Sequence, residues 1–142
     1  MYSLPSRAST VLCVYFNAGR DIACNNLLLL ECKKINIFSF AFVVLLDLQK
    51  YDGGFGTIQH PKNKRYIAMN SNGTLYSTTT FSEEVLFKYL TGHYPYIQFS
   101  SHKYKNNGKD MLIGLRADGT IKKGKKTSLT HKSTKFLIVG TI

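Results

Sequence analysis

Tyr66-Ile67-Ala68-Met69-Asn70-Ser71-Asn72-Gly73-Thr74-Leu75 returns 46 residues downstream as Leu112-Ile113-Gly114-Leu115-Arg116-Ala117-Asp118-Gly119-Thr120-Ile121. Each copy reads as strand, Asx-Gly turn, strand. Asn-Gly and Asp-Gly pairs adopt the left-handed backbone that tight hairpin turns need. Self-similarity at such a step marks a fold assembled from repeated supersecondary units. A unit of this size with several strands fits a propeller blade or one lobe of a threefold barrel. A propeller needs at least about four blades, and 142 residues do not supply them. Three lobes fit.

Around this pair the chain keeps a β rhythm. Phe40 to Leu48 reads as a buried strand, Asp52-Gly53-Gly54 as a turn, and Phe55 to Gln59 as a short strand. A second turn follows at His60 to Lys64, then the first copied hairpin over Arg65 to Ser77. Val85 to Tyr89 and Tyr96 to Ser100 read as strands, and Tyr104 to Asp110 as a polar turn around Asn106-Asn107-Gly108. The second copied hairpin spans Leu112 to Lys122, and Lys135 to Val139 closes the chain. Short strands with close turns, rich in Tyr, Phe, Thr, Val and Ile, define an all-β barrel or sandwich. No helix-period stripe of useful length appears. Alternation along the hairpins assigns Met69, Leu75, Phe81, Phe87, Leu115 and Phe136 to the core. Residues 1–34 give no hairpin signal.

Length predicts one domain. The formal charge is +11, and it is concentrated: from Ser101 onward there are ten Lys or Arg against two Asp. That is the electrostatic footprint of a polyanion binder. Lys122-Lys123-Gly124-Lys125-Lys126 taken alone equally fits a nuclear signal, a nucleic-acid patch or a solvated surface. Gly124 is read as the flexible point that lets its flanking lysines converge. The cysteines, Cys13, Cys24 and Cys32, are odd in number and contain no Cys-x-x-Cys pair. Neither a closed disulfide framework nor a zinc site is expected, and no cofactor is expected.

Lys33-Lys34 precedes twelve uncharged residues, Ile35 to Leu46. This pattern fits a buried strand or an internal export signal, and it is too short to span a membrane. Catalysis has little support. His60, His93, His102 and His131 lie in polar or turn contexts, and no nucleophile–His–acid context appears. Glu83-Glu84, read as adjacent on a strand, would point to opposite faces. Asn72-Gly73-Thr74 is formally a glycosylation sequon. Its place in a tight turn argues against occupancy.

Tyr66 to Asn70 followed by Gly73-Thr74-Leu75-Tyr76 resembles the fibroblast growth factor signature. The family continues with a small-residue segment, an acidic pair, Cys-x-Phe-x-Glu, six residues and a Tyr. Here Thr80-Phe81-Ser82-Glu83-Glu84 leads to Val85-Leu86-Phe87-Lys88-Tyr89, and Tyr96 follows after the same gap. Gly114-Leu115, Gly119, Lys122-Lys123-Gly124 and Phe136-Leu137 extend the match, which covers roughly Leu46 to Val139. The resemblance implies a β-trefoil with an atypical or incomplete first lobe. Residues 1–39 would form a divergent N-terminal segment (a poorly matched first lobe or a leader), and residues 40–142 the growth-factor domain.

The resemblance further implies heparan sulfate binding through Arg116, Lys122, Lys123, Lys125, Lys126, His131 and Lys132, with no nucleic-acid partner. It implies engagement of a receptor tyrosine kinase ectodomain through Tyr89, Tyr96, Phe99, Leu137 and Val139. For Phe99 and Leu137, core packing is the equal alternative. Val85 stands in the family's cysteine position. Tyr89 stands in the place of a glutamate that meets the receptor, which puts receptor affinity or choice in question. Ile97 stands where the family often has Asn. The expected function is a secreted, non-enzymatic growth factor. The alternatives are an intracellular family member binding a protein partner, or a glycan-binding fragment without receptor activity.

Overall fold

A computed structural model of the chain describes residues 6–15, 32–34, 41–60, 62–94, 96–116 and 120–141, with side chains for 46–60, 62–94, 96–116 and 120–136. The described residues form twelve strands: β1 (Ser6–Tyr15), β2 (Cys32–Lys34), β3 (Ala41–Tyr51), β4 (Phe55–Gln59), β5 (Tyr66–Met69), β6 (Leu75–Thr78), β7 (Leu86–Leu90), β8 (Gln98–Asn106), β9 (Lys109–Leu112), β10 (Gly114–Leu115), β11 (Ile121–Lys122) and β12 (Phe136–Thr141). Three short 3-10 turns, Glu83–Val85, Gly124–Lys126 and Lys132–Thr134, complete the described structure.

Six strands close a ring. β1 pairs antiparallel with β3, β3 with β4, β4 with β7, β7 with β8, and β12 returns to β1. The remaining seam is one bridge just before β8, where Ile97 and Phe136 exchange backbone hydrogen bonds of 2.7 and 2.9 Å. This bridge brings the two ends of the ring together and limits the unpaired backbone that an open edge would present. The ring with its hairpins is a β-trefoil.

The duplicated sequence folds as duplicated structure. In the first copy Ala68 pairs with Tyr76 and Met69 with Leu75. In the second, Gly114 pairs with Lys122 and Leu115 with Ile121, the same register displaced by 46 residues. The bond from the Asn70 N–H to the Thr74 carbonyl (3.1 Å) has its counterpart from Arg116 to Thr120 (2.8 Å). The same step carries β4 onto residues 101–105 of β8 and back onto residues 9–13 of β1. Thus the first lobe contributes barrel strands that its sequence did not announce.

The turn chemistry differs from expectation in one respect. In the first copied turn only Gly73 takes a positive φ, +79°. The Asn70 side chain bridges the turn by accepting from the N–H groups of Asn72 and Thr74, each at 3.0 Å. Besides Gly53 (φ 102°) and Gly54 (φ 81°), the residues with paired left-handed backbone are Asn107 (φ 50°) and Gly108 (φ 77°). They join β8 to β9, with Asn106 opposite Lys109. The segment from Tyr104 to Asn106, expected as turn, is therefore strand. The second copied turn, 117–119, lies outside the described residues.

Inside the ring lie Leu46, Leu48, Ile58, Ile67, Met69, Leu75, Phe87, Phe99, Met111, Ile113 and Phe136. Burying one such side chain contributes about 1.5–3 kcal/mol. Met69, Leu75, Phe87 and Phe136 are core as expected, and Leu115 packs partly buried against them. Val85, in the family's cysteine position, is fully buried (0%), so an apolar side chain of similar size suits the site. Phe81 corrects its assignment: it is 43% exposed and packs edge-on against Tyr66, ring centroids 6.0 Å apart. It follows β6 in an open segment, beyond the reach of strand alternation. Glu83 and Glu84 are likewise not on a strand but in a 3-10 turn, where the Ser82 side chain accepts from the Glu84 N–H. His102 corrects its polar context, because it lies within β8 and stacks on Phe55 at 4.7 Å. Of the uncharged run Ile35 to Leu46, the part from Ala41 onward is β3.

Candidate functional site

The basic residues of the C-terminal third occupy the chain between β10 and β12. Lys123 caps the 3-10 turn Gly124–Lys126, and Lys125 and Lys126 lie on it, all three exposed. The Lys122 ammonium lies 2.8 Å from His131 Nδ1. An ammonium only donates, so Nδ1 accepts in this contact. This contact joins the start of the loop to its far side. Lys132, exposed, opens the next 3-10 turn beside His131. Arg116 is exposed too, but its guanidinium folds onto its own hairpin and donates to the Ile121 carbonyl at 3.0 Å.

Buried and half-buried polar groups hold this loop to the barrel. Thr127 Oγ1 accepts from the Leu112 N–H (2.9 Å) and donates to the Gly124 carbonyl (2.6 Å). Gln98, 1% exposed, donates from Nε2 to the Leu129 carbonyl at 2.9 Å and to Thr134 Oγ1 at 2.8 Å. Thr134 Oγ1 in turn donates to the His131 carbonyl at 2.7 Å. The first copied hairpin also takes part, because the Gly124 N–H donates to the Gly73 carbonyl at 2.8 Å.

Gly124 is required for space rather than for flexibility. It is buried, and a Cβ there would stand 2.9 Å from Met111 Cβ and 3.1 Å from Met69 Sδ. The loop thus rests directly on two core methionines. Its lysines project from a supported base.

Among the described residues, no carboxylate forms an ion pair with Arg116, Lys122, Lys123, Lys125, Lys126 or Lys132. The described pairs are Lys64 with Asp47 and Lys105 with Asp110. Uncompensated cations on one segment attract a polyanion and release its counterions when they bind it.

The expected aromatic surface is partly core. Phe99 is 1% exposed and packs edge-on to Tyr89 (5.2 Å between centroids) and against Phe136 (5.8 Å). It takes the core reading, and it supports Tyr89 from below. Tyr89 is half-buried. Its hydroxyl reaches the Thr57 carbonyl at 3.3 Å, and Lys50 lies over its ring at 5.5 Å. Desolvation pushes the Tyr89 phenol well above its ordinary value. Tyr96 is half-buried, with its N–H bonded to the His93 carbonyl at 2.9 Å. Leu137 and Val139 lie in β12, and their side chains fall outside the described residues.

Two features escaped sequence reasoning. Glu84 accepts from the hydroxyls of both Tyr76 and Tyr104, the latter at 2.5 Å. The acidic pair was visible in the sequence, but its tyrosine partners come from β6 and β8. Arg65, which could not be placed from sequence, donates to Ser77 Oγ and to the Ser77 carbonyl, both at 3.0 Å, and so closes the first copied hairpin.

A closed six-stranded barrel with repeated hairpins defines the chain as a β-trefoil protein. A family model described as fibroblast growth factor matches residues 42–137, and the chain belongs to that family, one of signalling ligands rather than enzymes. Over 93 residues, 66% of this chain, it is 30% identical to human fibroblast growth factor 7, covering 48% of that protein. It is 34% identical to human fibroblast growth factor 4, with 43% of that protein covered. Identity to human fibroblast growth factor 10 is 26%, with 45% covered. The chain spans about half the length of the curated relatives it matches. No helix among the described residues is long and apolar enough to cross a membrane.

Proposed function

We propose that the chain is a secreted growth factor that binds heparan sulfate through Lys122, Lys123, Lys125, Lys126, His131 and Lys132, with Arg116 at the margin. The observation that carries this reading is the run of lysines that form no ion pair among the described residues, seated by Gly124 on Met69 and Met111. Sulfates along a glycan are fixed anions, and a supported loop meets several at once with little ordering cost. A receptor tyrosine kinase ectodomain would be engaged through Tyr89, Tyr96, Leu137 and Val139, with Phe99 bracing them from the core. Glycan and receptor contacts on one ligand reinforce each other through effective concentration.

Purified protein retained on heparin until well above physiological salt, and receptor phosphorylation in cells exposed to it, are the expected results. Elution at low salt removes the glycan reading. A second reading, glycan binding without receptor activation, is favoured by Tyr89. This residue offers no carboxylate, and its hydroxyl is turned toward the Thr57 carbonyl. Heparin retention without receptor phosphorylation is its signature.

A further inference from the structure

Asn72-Gly73-Thr74 is the one Asn-x-Ser/Thr sequence in the chain. The sequence places it in a tight turn, which argued against modification. The folded turn removes that objection. The bonds that hold it come from Asn70, whose side chain accepts from the N–H groups of Asn72 and Thr74. Asn72 is exposed, its side-chain amide makes no hydrogen bond among the described residues, and its backbone keeps an ordinary φ. Thr74 is exposed as well. Meanwhile the neighbouring Gly73 abuts the lysine loop: a Cβ on it would stand 3.0 Å from the backbone nitrogens of both Gly124 and Lys125.

We infer that Asn72 is an N-glycan acceptor, and that the glycan it carries screens the Lys123–Lys126 loop and so sets its affinity for sulfated polysaccharide. The donor is an oligosaccharide linked to a lipid pyrophosphate, supplied in the export pathway. Asn72 Nδ2 forms the new bond to the anomeric carbon of the first sugar. The bond from that carbon to the pyrophosphate oxygen breaks, lipid pyrophosphate leaves, and Nδ2 gives up one proton. The product remains an uncharged amide. The folded turn accommodates it, because no bond of the turn uses the Asn72 side chain. A bulky, hydrated chain rooted beside Gly73 competes for the space that a sulfated chain must enter to reach Lys123, Lys125 and Lys126. Charge on the loop is unchanged, so the effect is steric.

This inference rests on the proposed export, and the test separates the two. The full chain is expressed in cultured animal cells, once as it stands and once behind an appended cleavable leader. An endoglycosidase that leaves the first sugar in place is the probe, which keeps residue 72 uncharged. The expected result is an endoglycosidase-sensitive mobility step in the leader-bearing protein, lost in both Asn72→Gln and Thr74→Ala. The glycosylated form is expected to leave heparin at lower salt than the trimmed form and than Asn72→Gln. If only the leader-bearing chain is glycosylated, the export reading fails and the site stands. Absence of the step in leader-bearing protein recovered from the secretory fraction overturns the site. So does a step that survives Thr74→Ala. Identical elution of glycosylated and trimmed forms overturns the screening role.

Discussion

The Glu84 carboxylate collects the Tyr76 and Tyr104 hydroxyls, and so ties β6 and β8 to the 3-10 turn between β6 and β7. Hydrogen bonds from Tyr104 and then Tyr76 hold its carboxyl below the ordinary glutamate value. A depressed folded value contributes stability above the unfolded value of about 4.3, and that stability is lost as pH falls through the folded value. Glu84→Gln is therefore expected to lower the thermal midpoint at neutral pH. The gap to the parent protein should close as both are acidified below the glutamate range. Thermal melts across acid pH check this, and a gap that persists undiminished in acid contradicts it. At the alkaline end, burial and Glu84 push Tyr76 up to about 12. Its contribution is present below the ordinary tyrosine value of about 10 and fades as pH climbs toward the raised one. Phe99 belongs to the core rather than to a contact surface. Phe99→Ala should cost about 3–5 kcal/mol by denaturant unfolding, as large-to-small changes at buried aromatics do.

At the scale of elements, Gly124 joins three of them: the lysine loop, the first copied hairpin through Gly73, and the methionines of β5 and β9. Gly124→Ala inserts a methyl group where Met111 Cβ would stand at 2.9 Å. Overpacking of this kind costs about 1–3 kcal/mol, and relief requires the loop to lift. The expected outcome is a lower unfolding midpoint together with earlier elution from heparin. Lowered stability with unchanged elution would show that the loop's seating is irrelevant to its binding. Legibility in the sequence also divides by element. β4 was readable to its ends, because Asp52-Gly53-Gly54 and the His60 turn bracket it. The Tyr104 to Asn106 segment was misread because polar residues obscured a strand that alternates exposed Lys103 and Lys105 with half-buried His102 and Tyr104. The 3-10 turn at Glu83 was missed because its cap is a single serine and it lasts three residues.

For the whole molecule, the step of 46 residues was legible in two copies of the hairpin and invisible in the first lobe. β1 carries no turn signal or repeat, and its place is set by partners far away in sequence, β3 and β12. Non-local pairing leaves no local mark. It follows that β1 closes two seams of the ring. A chain beginning at Phe40 should lose cooperative unfolding or melt well below the full chain, because β3 and β12 would present bare edges. Scanning calorimetry of the two chains is the check, and equal midpoints would show the barrel to be complete without β1. The proposed binding surface was legible as charge and spacing. Its support was not, since Gln98, Thr127 and Thr134 show their role only once the loop lies against the barrel.

The most direct measurement is the salt needed to elute two triple variants from heparin. One replaces Lys123, Lys125 and Lys126 with Gln; the other makes the same change at Lys62, Lys105 and Lys109, which carries the same net charge. By analogy with phosphate backbones, removing three contacts reduces the slope of log affinity against log salt by about two to three. The loop variant is predicted to elute well before both the parent protein and the matched variant. Equal losses in the two triples would mean that diffuse charge alone does the binding, and would contradict a glycan site on this loop.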